Sequence, residues 1–174
     1  SEETWAPQDG LERIFYTTVT AILTGIGFAL LLISGMIMRG EKIDTKRGLL
    51  WGGGGFIAFV LAPSLGLPPE LPGMVASDIL ARQSWWITTT IASIVGLWLL
   101  VFSEKIHYKI LAVIIALTPH LVGAPHPEVL SADGVPPELA AQFVTVSIAV
   151  GGLFWALIGG FSGYFYERLE RTNS

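Results

Sequence analysis

The sequence predicts an all-α fold, a polytopic integral membrane helix bundle with five transmembrane helices. Of its 174 residues 52% are hydrophobic and only 14% are charged, whereas a soluble domain carries about 25% charged residues. A spanning helix needs about 20 apolar residues, and five runs approach or exceed that length. Their interiors hold no acidic residue and, apart from Lys109 near one end, no basic one. These predicted spans are residues 14–38, 48–65, 84–102, 106–122 and 139–166, and together they make residues 1–174 a single transmembrane domain.

Composition also excludes several functions. The chain has no cysteine, which rules out disulfides, thiolate metal sites and cysteine nucleophiles. A net charge of −4 gives no basis for binding nucleic acid. Neither paired buried carboxylates nor a serine–histidine arrangement stands out, and no nucleotide-binding loop is present. We therefore expect a protein that is not an enzyme and that contacts membrane lipid.

The basic residues predict the orientation. Eight of the ten lie in the connection after the first predicted span, at residues 103–109 around the start of the fourth, and in the tail, and short loops rich in Lys and Arg stay in the cytoplasm. The N-terminus is then outside and the C-terminus is cytoplasmic. Because no apolar segment leads the acidic stretch of residues 1–12 across the membrane, we expect a sixth, upstream span in the intact protein. The eight residues are Arg39, Lys42, Lys46, Arg47, Lys105, Lys109, Arg168 and Arg171.

Carboxylates and two histidines collect on the predicted outer side. Pro119 is expected to break the fourth span, to free backbone carbonyl oxygens and to present His120. Imidazole and carboxylate ligands without thiolates suit divalent cobalt, nickel or zinc. The candidate metal ligands are His120, His126, Glu70 and Glu138. The alternative interpretations remain open. Outer loops are ordinarily poor in positive charge, so the excess of acids on this side does not require a metal site, and His126 fits a solvated loop residue.

Two further patterns predict structural roles. Asp78 and Arg82 lie four residues apart, which places them on one helix face and favours an ion pair that caps the third span over a transport site. Small residues allow close packing of membrane helices, and this is the role predicted for six glycines, although a flexible hinge or a path lined by backbone is the functional alternative. These glycines are Gly52, Gly53, Gly54, Gly55, Gly159 and Gly163.

Several longer motifs resemble one known family. The motifs are Leu67-Pro68-Pro69-Glu70-Leu71-Pro72-Gly73-Met74, Ala81-Arg82-Gln83 with Trp85-Trp86, Pro119-His120-Leu121-Val122-Gly123-Ala124-Pro125, Val135-Pro136-Pro137-Glu138-Leu139-Ala140, and Trp5-Ala6-Pro7-Gln8-Asp9-Gly10-Leu11-Glu12-Arg13. They resemble the family of predicted cobalt transporter subunits called CbtA, over essentially the whole chain. The resemblance implies a multi-span protein of the bacterial inner (cytoplasmic) membrane, linked to cobalamin-regulated cobalt uptake beside a small single-span subunit that bears histidines. It also implies one more N-terminal span than this sequence has.

Two functions remain open on the sequence. The first is a membrane subunit of a divalent metal uptake system, with cobalt as the transported ion. The second is a non-catalytic accessory subunit that packs against and stabilises a larger membrane protein complex. Few ionisable residues lie within the predicted spans, which favours the accessory subunit, whereas a histidine beside a proline at the end of a span favours transport.

Overall fold

The computed structural model describes residues 6–71, 74, 77–126 and 135–173, and all regular structure in these ranges is helical. The all-α prediction is therefore confirmed. Four long helices and one helical segment built from three consecutive elements form the bundle. The elements are α1 (Leu11–Arg39), α2 (Thr45–Phe56), a π-helical turn (Ile57–Leu61), α3 (Ala62–Ser64), α4 (Ile79–Phe102), α5 (Ile106–Val122) and α6 (Pro137–Asn173).

The three short elements form one uninterrupted helical segment, residues 45–64. Asp44 begins it, because its carboxylate accepts a hydrogen bond from the backbone N–H of Arg47 at 2.9 Å. The backbone stays in the right-handed helical region through the π-helical turn and into α3. A π-helical turn is rare and is frequently found at functional sites, and here it lies near the end of the segment that leads to Glu70.

Helices α2 and α6 pack antiparallel with their backbones in direct contact. A Cβ placed on Gly159 would lie 2.9 Å from the Cα of Gly52, and one placed on Gly48 would lie 3.0 Å from the backbone nitrogen of Gly163. No side chain fits between the two helices at these points. The sequence therefore places glycine at four-residue spacing on both facing surfaces, as close helix packing in a membrane requires.

Aromatic rings fill the space where α1 meets this pair. Trp155 of α6 is 2% exposed, and its ring stacks on Phe59 with the centroids 5.3 Å apart. Phe28 of α1 packs against both rings, at centroid distances of 5.0 Å to Phe59 and 4.8 Å to Trp155. This cluster anchors α1 to the π-helical turn and to the middle of α6.

Helices α4 and α5 form a second close antiparallel pair. A Cβ on Gly96 would lie 3.0 Å from the carbonyl oxygen of Ala112 and 3.1 Å from the Cβ of Ala116. Near the other end of the pair, the indole Nε1 of Trp85 donates a hydrogen bond to the carbonyl oxygen of Pro119 at 3.2 Å. The start of α4 and the end of α5 therefore lie at the same end of the bundle.

The prediction that Pro119 breaks the fourth span is wrong. Helix α5 continues through this buried proline and ends at Val122. Gly123 then adopts a positive φ of 92°, a conformation that glycine reaches without steric cost. Proline lacks the backbone N–H of a helix interior, but α5 packs tightly enough on α4 here to remain helical.

Within the described part of the chain, three helices are long and apolar enough to cross a membrane: Leu11–Arg39, Ile79–Phe102 and Pro137–Thr172; α5 is apolar but shorter. Helix α6 has 37 residues, which corresponds to about 55 Å at 1.5 Å per residue and exceeds the hydrocarbon thickness. The membrane helix bundle agrees with the fold class predicted. The count of five spans and the orientation stay predictions.

Basic side chains gather where α1, α4 and α6 end, which we call the basic end (residues 39–47, 103–109 and 167–173). The guanidinium of Arg39 lies 4.7 Å from the ring centroid of Phe102. Lys42 lies 3.9 Å from a carboxylate oxygen of Glu167. The opposite end, where α4 and α6 begin, carries Glu70 and we call it the acidic end.

Candidate functional site

A cleft of about 640 Å³ opens at the acidic end of the bundle. It lies between the end of segment 45–64, the following loop and the first two turns of α4. Its walls are mostly apolar and include Phe59 and Trp86, whose rings meet at a centroid distance of 6.1 Å. A small number of polar groups in a largely apolar concavity is the usual composition of a ligand site.

Among the residues that the structure describes, the cleft contains one ion pair, between Arg82 and Glu70. A terminal nitrogen of Arg82 lies 2.7 Å from a carboxylate oxygen of Glu70, and the two side chains are 30% and 24% exposed. Glu70 comes from the loop and Arg82 from the first turn of α4, so the pair closes the loop over the helix start. Partial burial weakens the screening by water that makes most surface ion pairs nearly neutral in energy.

The four-residue spacing predicts that Arg82 pairs with Asp78. The structure shows no such pair. The carboxylate of Asp78 instead accepts a hydrogen bond from the backbone N–H of Ala81 at 2.9 Å and caps α4. An aspartate at a helix start satisfies a backbone donor that has no partner within the helix, and this use competes with the salt bridge. The half-buried loop carboxylate of Glu70 then takes the guanidinium.

His120 lies in the last turn of α5, at the acidic end. Its ring is partly buried and meets Trp85 edge-on, with the ring centroids 5.7 Å apart. The loop that follows is tied to the chain before α4, because the Ser77 hydroxyl donates to the carbonyl oxygen of Pro125 at 3.1 Å. The imidazole of His120 is therefore held close to the first turns of α4, the helix that forms one wall of the cleft.

The other predicted metal ligands do not join it in one cluster. His126 is exposed in the loop after α5, and Glu138 is exposed in the first turn of α6. In the described part of the chain, no three histidine, aspartate or glutamate side chains come together as a metal-binding group. Any ion held by this chain alone would therefore meet its candidate ligands one or two at a time.

The predicted packing glycines divide into two groups. Gly52 and Gly55 of the four-glycine run are buried, Gly52 against the α6 backbone and Gly55 against the Trp155 ring, whereas Gly53 and Gly54 have no atom within 4 Å of an added Cβ. Gly159 and Gly163 pack against α2 and the residues just before it. Sequence reasoning missed Gly48, although its spacing of four from Gly52 matches the spacing of Gly159 and Gly163.

Comparison with known protein families gives a match that covers nearly the whole chain. A family model described as "Probable cobalt transporter subunit (CbtA)" matches residues 1–167 of the 174-residue chain. No curated protein matches the chain, and no solved structure does. Because the family model covers nearly the whole chain, including both sides of the cleft, this protein belongs to the CbtA family of probable cobalt transporter subunits.

Proposed function

We propose that this chain is the membrane subunit of a cobalt uptake system and that cobalt first meets it in the cleft. The observation that carries the proposal is the half-buried Glu70 carboxylate in an apolar cleft of a chain whose family is one of cobalt transporter subunits. The proposed location is the bacterial inner membrane, with the acidic end outside and the basic end in the cytoplasm.

The ion pair with Arg82 makes the Glu70 carboxylate selective for divalent over monovalent cations. A guanidinium 2.7 Å away is a tethered cation that occupies Glu70 until a stronger competitor arrives. A divalent ion attracts a carboxylate more strongly than a monovalent group does at the same distance. Cobalt that reaches Glu70 therefore displaces Arg82, whereas sodium and potassium compete poorly.

His120 is the second proposed ligand. Its imidazole is held at the acidic end by the Trp85 contact, and imidazole raises affinity for cobalt above that of oxygen ligands alone. Because His120 and Glu70 form no three-residue metal group with any other described residue, a partner supplies the remaining ligands. A small single-span subunit that bears histidines fits this requirement.

The chain offers no nucleotide site in its sequence, and the driving force proposed here is the membrane potential. An inside-negative potential favours cation entry by about 2.3 kcal/mol per charge per 100 mV. A separate ATPase in the same system is the alternative source of energy. Collapse of the membrane potential with an ionophore distinguishes the two, because it stops uptake only if the potential drives it.

Uptake of cobalt-57 into cells tests the proposal. Cells that lack other cobalt uptake would express the intact gene as wild type, Glu70→Gln or Asp9→Asn, with membrane amounts matched. Asp9 is the control because it is an exposed acid paired with Arg13 outside the cleft. We expect Glu70→Gln to lower uptake at least several-fold and Asp9→Asn to leave it unchanged. Uptake that does not depend on the protein at all would overturn the proposal.

The histidines give a second comparison in the same assay. We expect His120→Ala to lower uptake more than His126→Ala, because only the His120 ring is partly buried and held against α4. Equal, wild-type uptake in both variants would remove His120 from the proposed path.

An accessory role is the second candidate. The observation that favours it is that the described residues form no complete metal-binding group, while large apolar side chains remain exposed along α1 and α6. In this case the protein would co-purify with a larger membrane complex that loses stability in its absence, and cobalt uptake would persist in Glu70→Gln.

A further inference from the structure

The buried face of α4 is polar, although the helix as a whole is apolar. Its buried residues are Trp85, Thr89, Thr90, Ser93 and Gly96. Thr89 is 0% exposed, and Thr90 and Ser93 are each 4% exposed. The large aliphatic side chains, such as those of Ile87 and Ile91, point outward. Hydroxyl groups inside a membrane bundle are costly unless they have partners.

Other hydroxyl groups in these helices donate a hydrogen bond to a backbone carbonyl of their own helix, four residues earlier. Ser84 bonds to the carbonyl oxygen of Leu80 at 2.7 Å, and Thr88 bonds to that of Ser84 at 2.8 Å; Thr118 and Thr145 do the same in α5 and α6. This bond to the preceding turn is the ordinary solution for a helical threonine.

Thr89 and Thr90 do not make this hydrogen bond to the preceding turn. Their Oγ1 atoms are buried and have no hydrogen-bond partner. Within the described ranges, the only other buried side-chain nitrogen or oxygen without a partner is the Nε of Arg82, so all three such atoms belong to α4. Arg82 precedes the two threonines by seven and eight residues, about two helical turns or 10–12 Å along the axis.

The register places the two hydroxyls on different sides of α4, and only Thr90 on the side of the cleft. Thr90 is one turn after Trp86, which lines the cleft and meets Phe59 of the π-helical turn at a centroid distance of 6.1 Å. Thr89 is one turn after Trp85, which bonds to α5. One hydroxyl therefore lies on the side of α4 that faces the π-helical turn, and the other lies on the side that faces α5.

We propose that Thr89 and Thr90 each bind water inside the bundle, Thr89 between α4 and α5 and Thr90 on the side of the cleft, where the water extends the cleft into a hydrated passage along α4. Water satisfies buried polar groups that have no protein partner, and it accounts for two threonines that leave the usual bond to the preceding turn unmade. The ligand class is water; that a hydrated divalent cation follows it is an extension that rests on the proposed function.

The absence of cysteine from the sequence makes a direct test possible. Single-cysteine variants Thr89→Cys and Thr90→Cys in proteoliposomes would be treated with methanethiosulfonate ethylammonium, a small hydrophilic reagent that reacts with the water-exposed thiolate. Thr88→Cys, exposed on the outer face of the same helix, is the control for a dry lipid contact. Gln83→Cys, which lines the cleft, is the control for an accessible thiol.

Both buried cysteines should react within about tenfold of the Gln83→Cys rate and about a hundredfold faster than Thr88→Cys, because only a hydrated thiol ionises. If both react as slowly as Thr88→Cys while Gln83→Cys reacts, the passage does not exist. Reaction at one position alone would overturn the proposal for the other hydroxyl.

A second measurement does not depend on the cysteine variants folding. Thr90→Val removes the hydroxyl without changing the shape of the side chain. If water is bound, the variant melts at a lower temperature than wild type and than the Thr88→Val control. A dry, unpartnered hydroxyl would give an unchanged or raised melting temperature on removal, which would overturn the proposal. Neither readout involves cobalt, so failure of the proposed transport function would leave this result standing.

Discussion

Trp85 of α4 donates its indole N–H to the carbonyl oxygen of Pro119 in α5, at 3.2 Å and in a buried position. The bond joins two helices through 34 residues of sequence separation and lies directly beside His120. We expect Trp85→Phe to lower the free energy of unfolding by about 1–3 kcal/mol, from a lost hydrogen bond and a smaller ring.

Thermal melting in detergent measures this effect, with Trp98→Phe as the matched control. Trp98 is also in α4, but it is 42% exposed. An equal loss in both variants would show that ring size, and not the bond to Pro119, determines the effect.

The four-glycine run supplies a second prediction. Gly52→Ala places a methyl 3.2 Å from the Cα of Gly159 and against the carbonyl group of Trp155, whereas Gly53→Ala meets no atom within 4 Å. We expect Gly52→Ala to destabilise the protein by about 1–3 kcal/mol because the two backbones cannot separate locally. Gly53→Ala should be neutral or stabilising, since alanine is the better helix former by about 0.5–1 kcal/mol. Melting curves that rank the two in the opposite order would contradict the packing described.

Coupling between Glu70 and Arg82 can be measured separately from transport. A double-mutant cycle with Glu70→Gln and Arg82→Gln should give a coupling energy of about 1 kcal/mol, at the upper limit for exposed pairs, because both side chains are mostly buried. The same cycle on Asp9 and Arg13, which are 87% and 63% exposed, should give about 0.3–0.5 kcal/mol. A coupling energy for the cleft pair no larger than this would show that water screens both pairs alike.

The proposed orientation is tested by labelling in whole cells. Gln8→Cys lies three residues before α1 and Glu104→Cys lies at the basic end, and both positions are exposed. With the basic end in the cytoplasm, an impermeant maleimide should label Gln8→Cys in intact cells. It should label Glu104→Cys only after the membrane is permeabilised. The reverse pattern would invert the proposed topology and place the cleft on the cytoplasmic side.

The sequence predicted the positions of the helices well because hydropathy directly reports burial in lipid. Residues 106–122 coincide with α5, and residues 14–38 lie inside α1. The ends were less accurate where polar residues continue a helix. Helix α6 extends to Asn173 rather than to residue 166, and within that extension Glu167 and Arg171 pair at four-residue spacing. Local charge pairs extend a helix without adding to its hydropathy.

The site was less predictable for a different reason. Spacing along one helix predicted Asp78 as the ion-pair partner of Arg82, but the partner is Glu70, which lies in a loop. The position of a loop residue relative to a helix depends on tertiary packing. The capping role of Asp78 was available from sequence rules, and it would have removed that residue from the pairing. The unpartnered hydroxyls of Thr89 and Thr90 carry no such signal, because threonine in an apolar helix ordinarily bonds to its own backbone.

The contact between the α2 and α6 backbones has a mechanical consequence. A carbonyl group set against a Cα atom has no rotamers to exchange, so these two helices can neither slide nor twist past each other without separating altogether. Helices α2 and α6 therefore move as one rigid body. A change of shape in this protein has to be absorbed where side chains meet side chains, along the seam between segment 45–64 and α4, and that seam opens into the cleft that holds Glu70 and Arg82.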